Sequence, residues 1–155
     1  MSGQTTLSVA AIAHGTVIDH IPAGQAINIL RLLRLTHDKF PITVGLNLSS
    51  DKLQFKDLIK IENRQLSKSE QEKIALFAQN ATLNIIENYA IVQKIKIKSP
   101  SEVINVLMCP NTNCITQVEK IETRFDVLHS KKQVMLRCQY CEKLFEQQQL
   151  KEHFE

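Results

Sequence analysis

The sequence predicts an α+β fold in two parts, and three observations support that prediction. Residues 1–100 alternate between the two-residue apolar period of strands and the apolar spacing of helices. Ser99-Pro100-Ser101 interrupts these patterns, and beyond it only strand-like patterns dominate. All four cysteines follow this boundary, at positions 109, 114, 138 and 141. We therefore expect one domain over residues 1–100 and a smaller, all-β domain over residues 101–155.

The first half of the larger domain begins with a short apolar run at residues 7–13, which predicts a strand. Pro22 suits the first turn of a helix, and the polar stripe of that helix is narrow enough to predict that most of its surface is buried. The residues at helical spacing are Ala26, Ile27, Leu30 and Leu33. Alternation then predicts a half-buried strand whose apolar members are Ile42, Val44, Leu46 and Leu48.

The second half continues with a predicted strand at residues 55–62. Ser67-Lys68-Ser69-Glu70 fits a capping box that opens a helix, and the inward side chains of that helix are expected to be Ile74, Phe77, Ala78 and Ala81. Two strands, residues 82–88 and 90–98, join at Asn88-Tyr89. The order β-α-β-β-α-β-β predicts the ferredoxin-like layout, an antiparallel sheet with two helices on one face.

In residues 101–155 we expect strands at 103–108, 123–129 and 132–138, followed by a short helix within residues 146–154. The composition is that of a globular protein, 43% apolar and 23% charged. No apolar run approaches the roughly 18 residues of a membrane span, and the start lacks the basic flank of a secretory signal. These features predict a soluble protein of the cytoplasm that has no membrane partner.

Charge is unevenly spread along the chain. Residues 1–100 hold 12 Lys and Arg against 8 Asp and Glu, a net +4, whereas residues 101–155 hold 7 against 8, a net −1. Dedicated nucleic-acid binders show a strongly basic patch. The modest excess in the first part instead suits one small anionic ligand.

The four cysteines form two short motifs, Cys109-x4-Cys114 and Cys138-x2-Cys141. Four thiolates at such spacing are the usual ligands of a structural Zn²⁺, with no open position for Lewis-acid catalysis. A segment of about 50 residues buries too little apolar surface to fold reliably alone, and zinc would supply on the order of 10 kcal/mol. Iron of the rubredoxin type is the main alternative, followed by a redox dithiol. His129 and His153 are expected to be surface residues.

Anion-binding candidates lie in the first domain. Asp19-His20 precedes the first predicted helix, where a phosphate and a ribose hydroxyl could be held; local turn chemistry is the alternative interpretation. Lys60 lies on one strand face with Lys56 and Glu62, and Lys94 lies on another with Lys96 and Lys98. Either these lysines converge on a nucleotide, or they are solvated charges that protect edge strands from pairing.

Several motifs, in order and in both domains, resemble the regulatory chain of aspartate carbamoyltransferase, the allosteric subunit of a pyrimidine-synthesis enzyme. They are Gly15-Thr-Val-Ile-Asp-His-Ile-Pro22, Gly45-Leu-Asn-Leu48, Asp57-Leu-Ile-Lys-Ile-Glu-Asn63, Asn88-Tyr89, Cys109-Pro-Asn-Thr-Asn-Cys-Ile115 and Cys138-Gln-Tyr-Cys-Glu-Lys143. The resemblance runs nearly end to end.

This resemblance implies a non-catalytic subunit whose first domain, residues 1–100, binds CTP as inhibitor and ATP as activator at one site. It implies a zinc domain, residues 101–155, that contacts catalytic chains, in a holoenzyme of two catalytic trimers and three regulatory dimers. UTP is a further possible ligand. The segment from Ala10 to His14 carries no fixed charge, where the family pattern implies acidic and basic side chains, so the nucleotide preference stays open.

Carried over by position, the resemblance also implies the site residues. The base pocket would lie on the backbone around Ala11 and Ile12, with Val17, Ile86 and Tyr89 beside it. Asp19 would bind the ribose hydroxyls, and Lys60 would touch base and ribose. The phosphates would be held by His20, Asn84, Val92 and Lys94, and zinc by Cys109, Cys114, Cys138 and Cys141.

Two other classes of function compete with a regulatory subunit. A zinc-ribbon nucleic-acid binder would need basic or aromatic groups near the cysteines, but the second part is slightly acidic. An enzyme would need a nucleophile paired with a base, and no such pair stands at a recognisable spacing.

Overall fold

The computed structural model describes residues 11–37, 39–129, 134–149 and 151–152. The chain divides into two compact units, one ending at Lys98 and the other beginning at Ser99. None of the helices among the described residues is long and apolar enough to cross a membrane.

The first unit is a five-stranded antiparallel sheet with the order β2-β3-β1-β4-β5. The helices are α1 (Ala26–Leu32) and α2 (Lys68–Ala75), with a 3-10 turn at Leu35–His37. The chain order β-α-β-β-α-β-β agrees with the ferredoxin-like layout, and the α+β prediction is confirmed. The strands are β1 (Gly15–Pro22), β2 (Ile42–Ser50), β3 (Gln54–Glu62), β4 (Thr82–Glu87) and β5 (Ala90–Lys96).

One face of this sheet packs against both helices. Side chains of α1 and α2 share a buried cluster with alternate residues of the central strands. Because strand side chains alternate between faces, the remaining residues of those strands lie on the opposite, helix-free face. The central members of the cluster are Ile18, Ile29, Ile59, Ile74 and Leu83, each fully buried.

Two local predictions are confirmed at residue level. The Ser67 hydroxyl accepts a hydrogen bond from the Glu70 N–H, while the Glu70 carboxylate accepts one from the Ser67 N–H, which completes the capping box. Asn88 and Tyr89 join β4 to β5 with positive φ angles of 51° and 65°, as a two-residue hairpin of the favoured twist requires.

The predicted start of the domain is wrong in part. Residues 7–10 lie outside the described residues, and residues 11–13 are not in a strand. The first described strand is β1, and Pro22 ends it rather than opening α1. Gly15 begins β1 at φ +140°, and a Cβ there would collide with the Ile61 carbonyl oxygen, so only glycine fits this close approach.

Two residues expected to be inward are exposed. Ile27 of α1 is 46% exposed, so α1 buries a narrower face than its sequence indicates. Leu46 is 47% exposed, because the β2–β3 register shifts between Gly45 and Leu48 and Asn47 adopts φ +56°. Such a bulge breaks the alternation on which the inward assignment depended.

The second unit is a four-stranded sheet of order β10-β9-β8-β6 and a two-stranded ladder of β11 with β7. Phe125 and Leu136 are fully buried in its core, and their cross-strand neighbours Val103 and Phe145 are also buried. One short helix, α3 (Ile115–Val118), completes it. The strands are β6 (Glu102–Ile104), β7 (Leu107–Met108), β8 (Arg124–His129), β9 (Val134–Cys138), β10 (Leu144–Glu146) and β11 (Lys151–Glu152).

The predicted strand at residues 103–108 is divided in two by Asn105, whose φ is +56°. The predicted helix within residues 146–154 is wrong for the described residues: Glu146 ends β10, a 3-10 turn follows at Gln147–Gln149, and Lys151–Glu152 pair with β7. A ladder of two residues on each strand is too short to produce a recognisable apolar period in the sequence.

Candidate functional site

A row of cross-strand neighbours crosses the helix-free face of the first unit. Lys60 on β3 lies opposite Val17 on β1, Val17 lies opposite Asn84 on β4, and Asn84 lies opposite Lys94 on β5. Directly opposed residues of an antiparallel pair point to the same face and stand about 4.5–5.5 Å apart. Four of the sequence-predicted site residues are therefore adjacent in space.

A small apolar cluster lies on the same face, formed by Ile12, Val17, Leu58 and Ile86 with Leu48 packed against it. Three of these, Ile12, Val17 and Ile86, are residues that the family resemblance assigns to a base pocket. The cluster forms an apolar patch on this face of the sheet, beside its charged side chains.

Ala11 and Tyr89 are two further residues that the family resemblance assigns to the base pocket. Ala11 is exposed, and Tyr89 is 71% exposed. The Tyr89 N–H donates to the Ala13 carbonyl at 3.0 Å, which fixes the β4–β5 hairpin next to residues 11–13. Tyr89 thus has a largely exposed side chain, and its backbone lies next to residues 11–13.

Asp19 and His20 form a bulge in β1. The β1–β3 register shifts between Ile18 and Ile21, and His20 has φ +58°. The Asp19 Oδ1 accepts the His20 N–H at 2.7 Å and lies 2.8 Å from the Lys56 Nζ. His20 Nδ1 is 3.3 Å from the Thr82 Oγ1. The bulge holds a carboxylate and an imidazole side by side.

Burial and neighbouring charges shift the pKa values of three titratable groups at and near the bulge. Burial would raise the pKa of Asp19, but the hydrogen bonds from Lys56 and the His20 N–H and the Lys56 charge outweigh it, so this pKa is lower than usual. Burial lowers the pKa of His20, and despite the Asp19 charge the nearby lysines, 56, 52 and 94, lower it further. Burial also lowers the pKa of Lys60, partly offset by Asp19.

Asn84 is 8% exposed, and its Oδ1 has no hydrogen-bond partner within the part of the chain that the structure describes. A buried acceptor without a donor is costly, so a ligand that donates here would be favoured. Val92 lies in a β5 bulge, where the register moves from Ile86↔Ile91 to Ile85↔Gln93, and it is 54% exposed. Its side chain is thereby outside the cross-strand row.

Lys56 was missing from the predicted site, although its signal was present in the sequence. Lys56, Leu58 and Lys60 are alternate residues of one strand, and the structure places Leu58 in the apolar cluster of the helix-free face. What the sequence did not reveal is the contact with Asp19, which depends on the β1 bulge.

In the second unit the four cysteines converge. Cys109 follows β7, Cys114 precedes α3, Cys138 ends β9, and Cys141 lies in the turn before β10. Their Sγ atoms all lie within 4.8 Å of one another. The Cys109–Cys141 and Cys114–Cys138 sulfur pairs are each separated by 3.7 Å.

These distances fit a tetrahedral metal ion. A Zn–S bond of about 2.3 Å gives a sulfur–sulfur edge of about 3.8 Å in a tetrahedron. Thr116 Oγ1 also donates a hydrogen bond to the Cys114 Sγ at 3.2 Å, and hydrogen bonds of this kind hold a metal ligand in its orientation. The exposed His129 is not part of the cluster that the described residues form, and His153 lies outside those residues.

Burial and hydrogen bonds shift the pKa values of three of the four thiols. Burial raises the pKa of Cys109 and of Cys138 well above the ordinary thiol value. Burial would also raise the pKa of Cys141, but hydrogen bonds from the Asn111 side chain and the Lys143 N–H lower it to about 7. A bound cation would favour the thiolate form of all four, because metal binding displaces their protons.

Comparison with known proteins matches both units. The family model described as aspartate carbamoyltransferase regulatory chain, allosteric domain, matches residues 7–98, and the metal binding domain of the same chain matches residues 101–151. The chain belongs to the aspartate carbamoyltransferase regulatory chain family.

Curated members of this family match over the full length. The regulatory chain of Tolumonas auensis is 48% identical over 154 residues, covering 99% of this chain and 100% of the relative. That of Aeromonas hydrophila is 47% identical with the same coverage, and that of Vibrio campbellii is 46% identical over 145 residues, covering 94% and 95%. The predicted family is confirmed, and with it the prediction of a regulatory, non-catalytic chain that has allosteric and metal-binding domains.

Proposed function

We propose that the first domain, residues 1–100, binds CTP and ATP at one site on the helix-free face of its sheet. CTP would act as inhibitor and ATP as activator of the catalytic chains of aspartate carbamoyltransferase in the cytoplasm, and UTP is a further candidate ligand. The observation that carries this proposal is the adjacency of Lys60, Asn84 and Lys94 in one cross-strand row beside an apolar cluster. A nucleoside triphosphate needs charged and polar side chains for its phosphates and an apolar surface for its base.

Each part of the nucleotide has a chemically suitable neighbour. The apolar cluster and Tyr89 suit a base, and the Asp19 carboxylate suits ribose hydroxyls. His20, Lys94 and the NH₂ group of the Asn84 amide suit phosphates, with Val92 supplying backbone groups at its bulge. Lys60, which lies opposite Val17 of the apolar cluster on the strand paired with that of Asp19, suits the junction of base and ribose.

Regulation would proceed by linkage between two sites. A nucleotide shifts an enzyme only through its unequal affinity for two quaternary states, and such coupling is typically about 1–3 kcal/mol. CTP and ATP share ribose and phosphates, so opposite effects must originate in the base pocket and in how deeply it seats the triphosphate. Pairing of two regulatory chains through their first domains would present two such sites per dimer.

We further propose that the second domain, residues 101–155, holds one structural Zn²⁺ through Cys109, Cys114, Cys138 and Cys141. The ion would supply folding free energy and no catalytic chemistry, because four thiolates leave no open coordination position. The domain would thereby keep the surface that contacts a catalytic trimer. An all-sulfur donor set of this geometry favours zinc over harder cations.

Lys60→Ala tests the nucleotide site. Loss of a charged hydrogen-bond donor costs about 1.5–3 kcal/mol, so the dissociation constant of CTP should rise about tenfold to a hundredfold. Isothermal titration calorimetry would measure it, with Lys98→Ala as the matched control, since Lys98 is exposed beyond the end of β5. Zinc content should stay unchanged. Equal CTP affinity in the two variants would remove Lys60 from the site.

A further inference from the structure

Asp57 is a buried carboxylate that holds three backbone segments of the first unit together. It is 0% exposed on β3. Its Oδ2 accepts the N–H groups of Gly24 at 2.9 Å and Ala26 at 3.1 Å, and its Oδ1 accepts the N–H of Asn47 at 3.0 Å. The three donors come from the turn after β1, the first residue of α1, and β2.

Each of these donors belongs to a place where regular structure is interrupted. Gly24 has φ +93° and Asn47 has φ +56°. The N-cap residue of α1, Gln25, makes no side-chain cap, so the Asp57 carboxylate caps that helix from a strand remote in sequence. Without Asp57, these N–H groups would lose the acceptor that now satisfies them.

The same residue is tied to the β1 bulge that carries Asp19 and His20. Its cross-strand partner is Ile21, the residue at which the β1–β3 register resumes after the bulge. Its chain neighbour Lys56 forms the ion pair with Asp19. Asp57 therefore ties β3 to the turn that directly follows the bulge.

We propose that Asp57 is a positioning residue of the nucleotide site: its three hydrogen bonds fix the β1 bulge that presents Asp19 and His20 to the ligand. This inference rests on the proposed nucleotide function. Asp57 itself has no surface that a nucleotide could touch, so its effect on binding would be exerted through those two residues.

Asp57→Asn tests the proposal with little change of shape. The amide keeps one acceptor oxygen, and its NH₂ group must face either the Asn47 N–H or the pair from Gly24 and Ala26, donor against donor. The dissociation constant of CTP should rise by at least about tenfold, the equivalent of one unmade buried hydrogen bond. In the nucleotide-free protein, the ring-proton NMR signals of His20 should move.

Ile59→Val is the matched control, because Ile59 is fully buried on the same face of the same strand but holds its neighbours by apolar packing, with no side-chain hydrogen bond to the turn after β1. It should lower the melting temperature while leaving CTP affinity and the His20 signals unchanged. An Asp57→Asn protein that binds CTP like the unaltered protein, with unmoved His20 signals, would show that Asp57 only stabilises the fold. Absence of CTP binding by the unaltered protein would instead refute the nucleotide function itself, while the His20 signals would still test the bulge.

Hydrogen exchange on the unaltered chain tests the same idea if Asp57→Asn does not fold. CTP at saturation should slow exchange of the Gly24, Ala26 and Asn47 amides together, since a ligand on Asp19 and His20 stabilises the bulge that Asp57 holds. Slowed exchange at His20 with no change at those three amides would overturn the proposal.

Discussion

Lys56→Gln removes the cation that faces Asp19 while keeping most of the side-chain length. The two charged atoms lie 2.8 Å apart, and the side chains are only 19% and 18% exposed. This pair is therefore neither a solvated surface bridge nor a fully buried one. Its loss should affect the free energy of unfolding of the first unit measurably.

The size of the effect can be bounded from the geometry. At 2.8 Å two unit charges attract by about 1.5 kcal/mol in a medium like water and by about 6 kcal/mol at an effective dielectric constant of 20, an upper limit. Desolvation opposes that attraction, exposed pairs contribute about 0–1 kcal/mol, and Asp19 keeps the His20 N–H. We expect a loss of about 1–2 kcal/mol, or roughly 4–8 °C in Tm per kcal/mol for a domain of this size.

The effect should depend on pH with a defined sign. Although burial alone would raise the pKa of Asp19, Lys56 and the His20 N–H hold it below its ordinary value of 3.8. The contribution of the ion pair is therefore fully present above pH 3.8 and is lost as pH falls through the lower native pKa. The stability difference between the two proteins should be present at pH 7 and should vanish in stronger acid.

The assay is urea unfolding followed by the amide NMR signals of β1 and β3, because these signals report only on the first unit. Release of metal from the second unit in acid then does not affect the measured stability. Lys98→Gln is the control for loss of a lysine charge, since Lys98 is exposed. Equal stability of Lys56→Gln and the control at pH 7, or a difference that persists below the native pKa of Asp19, would refute the reasoning.

Three further predictions concern the helix cap, the hairpin and the cysteines. Ser67→Ala removes the acceptor of the Glu70 N–H and should cost about 1 kcal/mol in urea unfolding, whereas Ser69→Ala should not; equal midpoints would contradict this. Tyr89→Ala should weaken CTP binding in calorimetry without changing Tm, because the ring is 71% exposed; unchanged affinity would exclude it from the base pocket. Cys138→Ser should abolish tight zinc binding, worth about 10–16 kcal/mol at structural sites, and unfold residues 99–155 while the first unit keeps its NMR spectrum; a folded variant that retains zinc, by metal analysis, would contradict that role.

Patterns that are complete within a few residues could be predicted from the sequence. The capping box at Ser67 and Glu70 and the hairpin at Asn88-Tyr89 each specify their own geometry locally. The cysteine spacing likewise predicts one four-sulfur cluster, because two short turns suffice to bring the thiols together.

Features that depend on distant partners could not be predicted. Helix α1 is capped by Asp57, which stands 31 residues from Ala26, so neither the start of α1 nor the end of β1 at Pro22 has a local signal. The bulge at Leu46 and Asn47 turns Leu46 outward against the alternation of β2, and it is stabilised by the same Asp57 carboxylate. Tertiary hydrogen bonds outweighed the apolar period at these positions.

The candidate nucleotide site shows the same division. Because Leu58 and Lys60 stand two residues apart, the sequence predicted that they share one strand face. The contact of Lys56 with Asp19 depends on the β1 bulge, which the sequence did not predict. Its cross-strand row also depends on the sheet order, since Lys60, Asn84 and Lys94 become neighbours only when β1 lies between β3 and β4. The residue pattern alone left open whether these lysines bind a nucleotide or protect edge strands, and the resemblance of the motifs to a known family favoured the nucleotide site.

The most direct test of a nucleotide-sensing regulatory chain is the carbamoyl-transfer rate of an aspartate carbamoyltransferase catalytic trimer reconstituted with this zinc-loaded chain, measured against CTP concentration. We predict that CTP lowers the rate of the complex and leaves the rate of the catalytic trimer alone unchanged. A complex that forms and whose rate does not respond to CTP would contradict the proposed regulation.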